Sequence, residues 1–397
     1  MARKMIDDID VAGKRILVRV DFNVPLDGGA NITDTNRIRA AQPTLWRLLE
    51  RGASLVLMSH LGRPKGVSHG LSLAPVATEL HGLLGTSVLL ASDCVGDDTA
   101  QLARELKPGN VLLLENLRFH KEEEANDAAF AKQLSELGSG IYVNDAFGAA
   151  HRAHASTEGI THHMSDCVAG YLMSKELQYL QDTLAKPTQP FVAILGGAKV
   201  SDKIEVIEHL LARVDRLLIG GGMAYTFLKA QGHEIGNSLL EEAAVPLATD
   251  LLQKAGDKLV LPTDSLVTQK FAAGAETRVV PVTAIPVDCE GVDIGPETTE
   301  RFVSTVRQAG TVVWNGPLGV FEIDDFAKGT LAVAQALAQA TWESGLVSII
   351  GGGDTAAAVV KAGAHKRMTH ISTGGGASLE CLGGRVMPGV EALDEAS

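Results

Sequence analysis

The sequence predicts an α/β protein of two domains, each built on a parallel sheet. Runs rich in Val, Ile and Leu alternate with longer helical patterns from end to end, which is the pattern of βα units with strands buried on both faces. A chain of 397 residues exceeds what one ordinary core organises, so two cores are expected. The strand-like runs also end differently in the two halves. I-L-V-R-V-D-F-N (Ile16 to Asn23), Ser54 to Arg63, Val111 to Arg118 and Ile141 to Gly148 end in charged or amide residues. Val192 to Lys199, Leu217 to Gly222 and Val347 to Asp354 run into glycine. Ligands of parallel sheets bind outside the carboxyl ends of the strands. One half therefore offers Arg and His to a small anion, and the other offers bare backbone to a phosphate chain.

The helical patterns follow in order. Ala40 to Gly52 and Ala125 to Gly138 are each closed by glycine. Tyr171 to Ala185 carries Leu177, Leu180 and Leu184 at helical spacing and stops at Lys186-Pro187. It is read as the connector between the domains; the alternative is an ordinary helix inside one of them. Ala327 to Trp342 is an Ala-rich helix that leads into the next strand. The tail from Gly383 is turn-rich, then short and acidic.

Composition narrows the function. A net charge of −13 argues against a general nucleic-acid or anionic-membrane partner, and it sets apart the Arg-bearing loops of the first half. Cys94, Cys167, Cys289 and Cys381 show no C-x-x-C pairing and read as reduced structural thiols. The amino terminus lacks the apolar stretch of a signal peptide, and no run reaches roughly 18 apolar residues, so a cytoplasmic protein is expected.

The first candidate site gathers Asp21, Asn23, Arg37, His60, Arg63, Arg118 and Arg152. Arginines near strand ends bind oxyanions bidentately. His60, His151 and His154 lack the carboxylate or Cys neighbours of a metal site and read as hydrogen-bonding groups. The second candidate site holds the triplets Gly220 to Gly222, Gly351 to Gly353 and Gly374 to Gly376. Glycine lets amide N–H groups approach a phosphate, and a following helix adds its positive end. Neither G-x-x-x-x-G-K-[ST] nor G-x-G-x-x-G is present. Asp354 is placed to hold Mg²⁺ on the phosphates or to cap a helix, and Lys199 and Lys203 to offset charge on a moving phosphoryl group. No Ser/His/Asp or Cys/His nucleophile stands out. Phosphoryl transfer to a carboxylate needs none, because the acceptor is already ionised.

Nine ordered motifs resemble those of the phosphoglycerate kinase family over essentially the whole chain. They are R-V-D-F-N-V-P-L (Arg19 to Leu26), S-H-L-G-R-P (Ser59 to Pro64), E-N-L-R-F (Glu115 to Phe119), Asn144 to Ser156, G-G-A-K-V-S-D-K-I (Gly196 to Ile204), Gly220 to Phe227, W-N-G-P-L-G-V-F-E (Trp314 to Glu322), G-G-G-D-T (Gly351 to Thr355) and Ser372 to Glu380. The resemblance implies two doubly wound, Rossmann-like domains joined by an interdomain helix. It implies that residues 1–170, with 384–397 returning, bind 3-phosphoglycerate, that 171–186 form the helix, and that 187–383 bind the nucleotide. It implies a monomer that catalyses the reversible, Mg²⁺-dependent reaction of 1,3-bisphosphoglycerate with ADP to give 3-phosphoglycerate and ATP after hinge closure. By the same resemblance, the seven residues of the first site match positions that hold phosphoglycerate, with Arg37 at its carboxyl end. The resemblance places Gly220, Gly221, Gly222 and Pro317 at positions lining the adenosine pocket and Glu322 at the position of the ribose ligand. It matches Lys199, Lys203, Asn315, Gly352, Gly353, Asp354 and Thr355 to phosphate contacts, Asp354 with the metal. Arg37, Lys199, Gly352 and Gly375 are assigned to the catalytic step, and Glu176 and His370 to the hinge. Cys381 and the segment G-G-R-V-M-P-G depart from the usual pattern without touching a ligand position.

Overall fold

The computed structural model describes residues 2–28 and 31–396. The backbone separates into two compact units, Met1–Gln178 with Val386–Ser397, and Tyr179–Arg385.

The first unit is built on six strands: β1 (Arg15–Val20), β2 (Ser54–Met58), β3 (Val88–Leu90), β4 (Val111–Leu113), β5 (Ile141–Asp145) and β6 (Asp166–Ala169). They pair in the order β3-β4-β2-β1-β5-β6, all parallel. The short β3 and β6 escape the apolar-run signal because they span only three and four residues. The chain passes from β1 to β2 on one side and later to β5 on the other, so the strand order reverses at β1. The helix Asn36–Glu50 covers this centre. Its Ile38, Ala41, Leu45 and Leu48 recur at helical spacing and pack with Ile16, Val18 and Val20. It begins four residues before the expected Ala40, which puts Arg37 in its first turn rather than in a preceding turn.

The single helix expected from Ala125 to Gly138 is two, Lys121–Glu124 and Ala128–Ser135. Asn126 takes φ 53, and Asp127 restarts the helix by accepting the Phe130 amide at 2.9 Å. The tail returns at Val386. The Lys4 amide donates to the Asp394 carbonyl and the Asp394 amide to the Cys167 carbonyl, each at 2.8 Å. Asn144 Nδ2 donates to the Gly389 carbonyl at 3.0 Å.

The Tyr171-to-Ala185 pattern is α-helical over Tyr171–Leu177 and π-helical over Gln178–Thr183. Regular leucine spacing does not reveal such a change of pitch. Asp145, at the end of β5, braces the helix start: its Oδ1 accepts the Met173 amide at 3.1 Å. Gly170 has no room for a side chain, since a Cβ there would lie 2.2 Å from that oxygen. Burial pushes the Asp145 carboxyl from 3.8 up to about 7, only partly opposed by its hydrogen bonds. The folded state then holds more protons than the unfolded one between these values, so this carboxyl erodes stability as pH rises through that window. Asp145→Asn keeps the acceptor and removes the titration. Its stability relative to the parent should climb between the two values and level off above them, by up to about 4 kcal/mol at 1.36 kcal/mol per unit. Urea midpoints measured across that range check this; a flat difference contradicts it.

The second unit carries β7 (Phe191–Leu195), β8 (Arg216–Ile219), β9 (Leu259–Val260), β10 (Asp264–Thr268), β11 (Thr277–Pro281), β12 (Glu290–Ile294), β13 (Thr311–Asn315), β14 (Val347–Gly351) and β15 (His370–Ile371). Six form a parallel sheet in the order β15-β14-β13-β7-β8-β9. Its order reverses between β7 and β13. Trp314, Ile194, Val312 and Phe302 pack there against Val333 and Leu337 of the helix Lys328–Ser344. The remaining three strands form an antiparallel sheet, β11-β10-β12, which the parallel pattern does not predict. No helix among the described residues is long and apolar enough to cross a membrane.

Candidate active site

In the first unit Asp21 and Asn23 follow β1, His60 and Arg63 follow β2, Arg118 follows β4 and Arg152 follows β5, while Arg37 stands in the first turn of the helix Asn36–Glu50. Arg37 Nη1 donates to Asp21 Oδ2 at 2.6 Å. Burial raises the Asp21 carboxyl, but the charges of Arg37 and Arg19 pull it down, so its pKa lies below the usual value and it stays ionised. Asn23 Oδ1 accepts the Gly62 amide at 2.8 Å, and Arg118 Nη1 donates to the Gly62 carbonyl at 2.8 Å. Gly62 thus ties the β1, β2 and β4 loops together. Arg118 also meets Glu124 at 3.3 Å. Arg63 and Arg152 are exposed in the loops after β2 and β5. Arg152 acts electrostatically on Arg118 and His154. Arg63 stands on the same edge with no hydrogen bond to the others among the described contacts.

His60 is buried, and burial together with the charges of Arg19, Arg118 and Arg37 pushes its pKa well down, against the pull of Asp21. Its imidazole is neutral near pH 7. Arg19 Nη2 lies 3.1 Å from His60 Nδ1. A guanidinium only donates, so Nδ1 accepts and the proton sits on Nε2, leaving that atom as a donor. Arg19 was not among the predicted site residues. It is 1 % exposed and donates to Ser156 Oγ at 2.8 Å. Ser156 in turn donates to buried Glu123 at 2.6 Å, and Arg19 lies 4.0 Å from the same oxygen. The available signal was a lone arginine inside the apolar run of β1. His154 belongs to this network, with Nδ1 3.9 Å from Glu123 Oε1, and burial, with the neighbouring arginines, lowers its pKa to about 3.

In the second unit the glycine loops lie along the carboxyl edge of the parallel sheet, after β8, β14 and β15. The loops after β7 and β13 interlock at the point where strand order reverses. The Gly196 amide donates to the Asn315 carbonyl and the Gly197 amide to the Pro317 carbonyl, each at 3.0 Å. Gly221 takes φ +67, and a Cβ there would stand 2.6 Å from the Gly197 nitrogen. The amides of Gly220 and Gly221 donate to the carbonyls of Leu195 and Leu318. The first triplet therefore spends these donors on loop packing rather than offering them to a phosphate. A cleft of about 400 Å³ opens beside it, lined by Gly221, Gly222, Pro317, Glu322 and Asp354 and by the apolar Leu239, Phe271, Leu318 and Val320.

Lys203 Nζ donates to Asn315 Oδ1 and lies 3.4 Å from the Asn315 carbonyl. Burial lowers the ammonium to about 8 against the pull of Asp202 and Asp354. Thr355 Oγ1 accepts the Gly316 amide at 2.7 Å, joining the β13 and β14 loops. Gly352, at φ +88, precedes the helix Gly353–Lys361, with Asp354 exposed in its first turn. Gly352 occupies the N-cap position, so Asp354 is a first-turn residue rather than the cap. Lys199 is exposed in the loop after β7. Gly375 lies after the edge strand β15 and, with Gly374 and Gly376, does not line the cleft. His370 stacks on Tyr179 with centroids 4.7 Å apart.

A family model described as phosphoglycerate kinase matches residues 6–385. The phosphoglycerate kinase of Pelodictyon phaeoclathratiforme is 57% identical over 399 residues, covering 100% of both chains. A wheat relative, named phosphoglycerate kinase, cytosolic, is 55% identical over 98% of both. The solved structure of phosphoglycerate kinase from Coxiella burnetii superposes with a TM-score of 0.88 at 39% identity, covering 98% of each chain.

Proposed function

The chain belongs to the phosphoglycerate kinase family, and from that premise we propose that its first unit holds 3-phosphoglycerate and its second unit the magnesium nucleotide. The reaction of the family is reversible phosphoryl transfer from 1,3-bisphosphoglycerate to ADP, with a carboxyl group as acceptor in the reverse direction. The observation that carries the site assignment is the pair of switch points. One is ringed by arginines around a neutral His60, and the other opens beside bare glycine backbone.

His60 donates from Nε2, and Arg63, Arg118 and Arg152 supply positive charge to the phosphoglycerate anion. Asn23 and Asp21 hold the loops and Arg37 in place. Arg37 uses one N–H on Asp21 and points its remaining donors at the carboxyl end. The acceptor carboxylate is ionised, so the protein supplies alignment and charge rather than a base. On the nucleotide side, Gly222 and Pro317 flank the base and Glu322 accepts from the ribose. Lys199 and Lys203 face the phosphates, joined by the amide groups of Asn315, Gly352, Gly353 and Gly375 and the hydroxyl of Thr355. Asp354, exposed on the cleft, fits magnesium, which takes one or two carboxylates plus phosphate oxygens and neutralises phosphate charge. Action as a monomer in the cytoplasm completes the proposal, the latter on the wheat relative's name.

A coupled assay with 3-phosphoglycerate, ATP and Mg²⁺ against a panel of other small acids tests it. Turnover confined to 3-phosphoglycerate is expected; equal turnover of unphosphorylated acids contradicts the arginine assignment. Asp354→Asn should raise the Mg²⁺ concentration for half-maximal rate by at least ~10-fold, as loss of a metal-site group does. Binding of 3-phosphoglycerate alone should not change, and equal loss of both would refute the two-site layout.

A further inference from the structure

Outside both half-sites, Asp93, Cys94 and His120 bring a carboxylate oxygen, a thiol sulfur and an imidazole nitrogen within 4.8 Å of one another. No other group of three such ligands occurs among the described residues. Asp93 and Cys94 follow β3, and His120 follows the turn Leu117–Phe119 after β4, so two neighbouring strand ends deliver the three atoms. His120 Nε2 lies 2.6 Å from Asp93 Oδ1, and its ring stacks on Phe130 with centroids 5.1 Å apart. The Cys94 amide donates to Asp93 Oδ1 at 2.6 Å, and the Cys94 thiol donates to the Glu115 carbonyl at 2.9 Å. All three donor atoms are therefore held by packing and backbone contacts before any ion arrives.

We propose that this cluster binds a thiophilic divalent ion of the zinc class through Cys94 Sγ, His120 Nε2 and an Asp93 oxygen, with water completing a tetrahedral shell. One sulfur, one nitrogen and one oxygen donor suit zinc and disfavour magnesium, which takes oxygen ligands. Binding replaces the thiol proton, which passes to solvent, and the imidazole carries its remaining proton on Nδ1. Each ion thus releases at least one proton, and affinity rises with pH. In the metal-free protein, the hydrogen bond to the Glu115 carbonyl satisfies the thiol. The ion draws Cys94 Sγ away from that carbonyl. The Glu115 carboxylate holds Ser72 and Leu73, and His120 stands two residues from Arg118, so occupancy reaches a segment of the anion half-site.

The test titrates the full chain with Co²⁺, then displaces it with Zn²⁺ against a chromophoric chelator. A thiolate-to-cobalt charge-transfer band is expected at one ion per chain, displaced by Zn²⁺ and not by Mg²⁺. Cys94→Ser should abolish the band, and His120→Gln and Asp93→Asn should each weaken Zn²⁺ binding by at least ~10-fold. His120 is partly exposed, so His120→Gln carries the test if the buried Cys94→Ser does not fold. An absent band in the parent protein overturns the proposal. So does a band unchanged in Cys94→Ser, which would place the ion on another cysteine, or parent-like Zn²⁺ affinity in His120→Gln.

Discussion

Arg37→Ala is expected to lower kcat by at least ~10²-fold, the cost of losing a charged donor aimed at a transition state. Ground-state binding of 3-phosphoglycerate should fall far less, since His60 and the other arginines remain. The expectation rests on how Arg37 is held. It sits in the first turn of the helix Asn36–Glu50, half-buried, with one N–H locked on an ionised Asp21. That fixes the direction of the remaining donors and spares the reorganisation that a mobile cation needs. Arg37→Lys should recover only part of the loss, because an ammonium lacks the planar fork. Steady-state kinetics with both substrates varied decide this, and a near-parent kcat in Arg37→Ala would remove Arg37 from the transfer step.

Gly221→Ala is expected to cost roughly 2–5 kcal/mol of stability in the second unit, combining a left-handed backbone with an overpacked contact. At φ +67 a Cβ lies 2.6 Å from the Gly197 nitrogen and 2.8 Å from the Pro317 carbonyl oxygen, and neither is a flexible side chain. The loops after β7, β8 and β13 must separate to admit it. They shape the 400 Å³ cleft, so nucleotide affinity should fall by at least ~10-fold, as when supporting groups around a site are lost. Affinity for 3-phosphoglycerate, whose proposed site is on the first unit, should stay near the parent value. Chemical denaturation and titration calorimetry together check this; parent-like stability would mean that the loops yield freely.

Strand ends were legible because long buried runs stop abruptly where the chain leaves the sheet. Ile16 to Val20 and Val347 to Gly351 are cases in which an apolar run and a chemically distinct terminus adjoin. The antiparallel β10 to β12 were not legible: Asp264–Thr268 mixes polar and apolar residues, and its pairing depends on partners distant in sequence. The role of Arg19 was hidden for a related reason. A strand alternates its faces, but a single arginine does not disclose that Glu123, Ser156 and His60 converge on it from three other segments. The glycine triplets share a sequence pattern but differ in their local packing. Gly220 and Gly221 serve loop packing, whereas a Cβ at Gly353 or Gly376 would meet only open space. The division is set by which neighbouring loop crosses each glycine.

The central claim is that the two ligands occupy separate units, each at the switch point of its own sheet. Amide hydrogen exchange on the full chain tests this most directly, with 3-phosphoglycerate alone and with Mg²⁺-ADP alone. Protection by 3-phosphoglycerate is expected in the loops carrying Asn23, His60, Arg118 and Arg152. Protection by the nucleotide is expected in the loops after β7, β8, β13 and β14. Protection of a single unit by both ligands, or of the glycine loops by 3-phosphoglycerate, would contradict it.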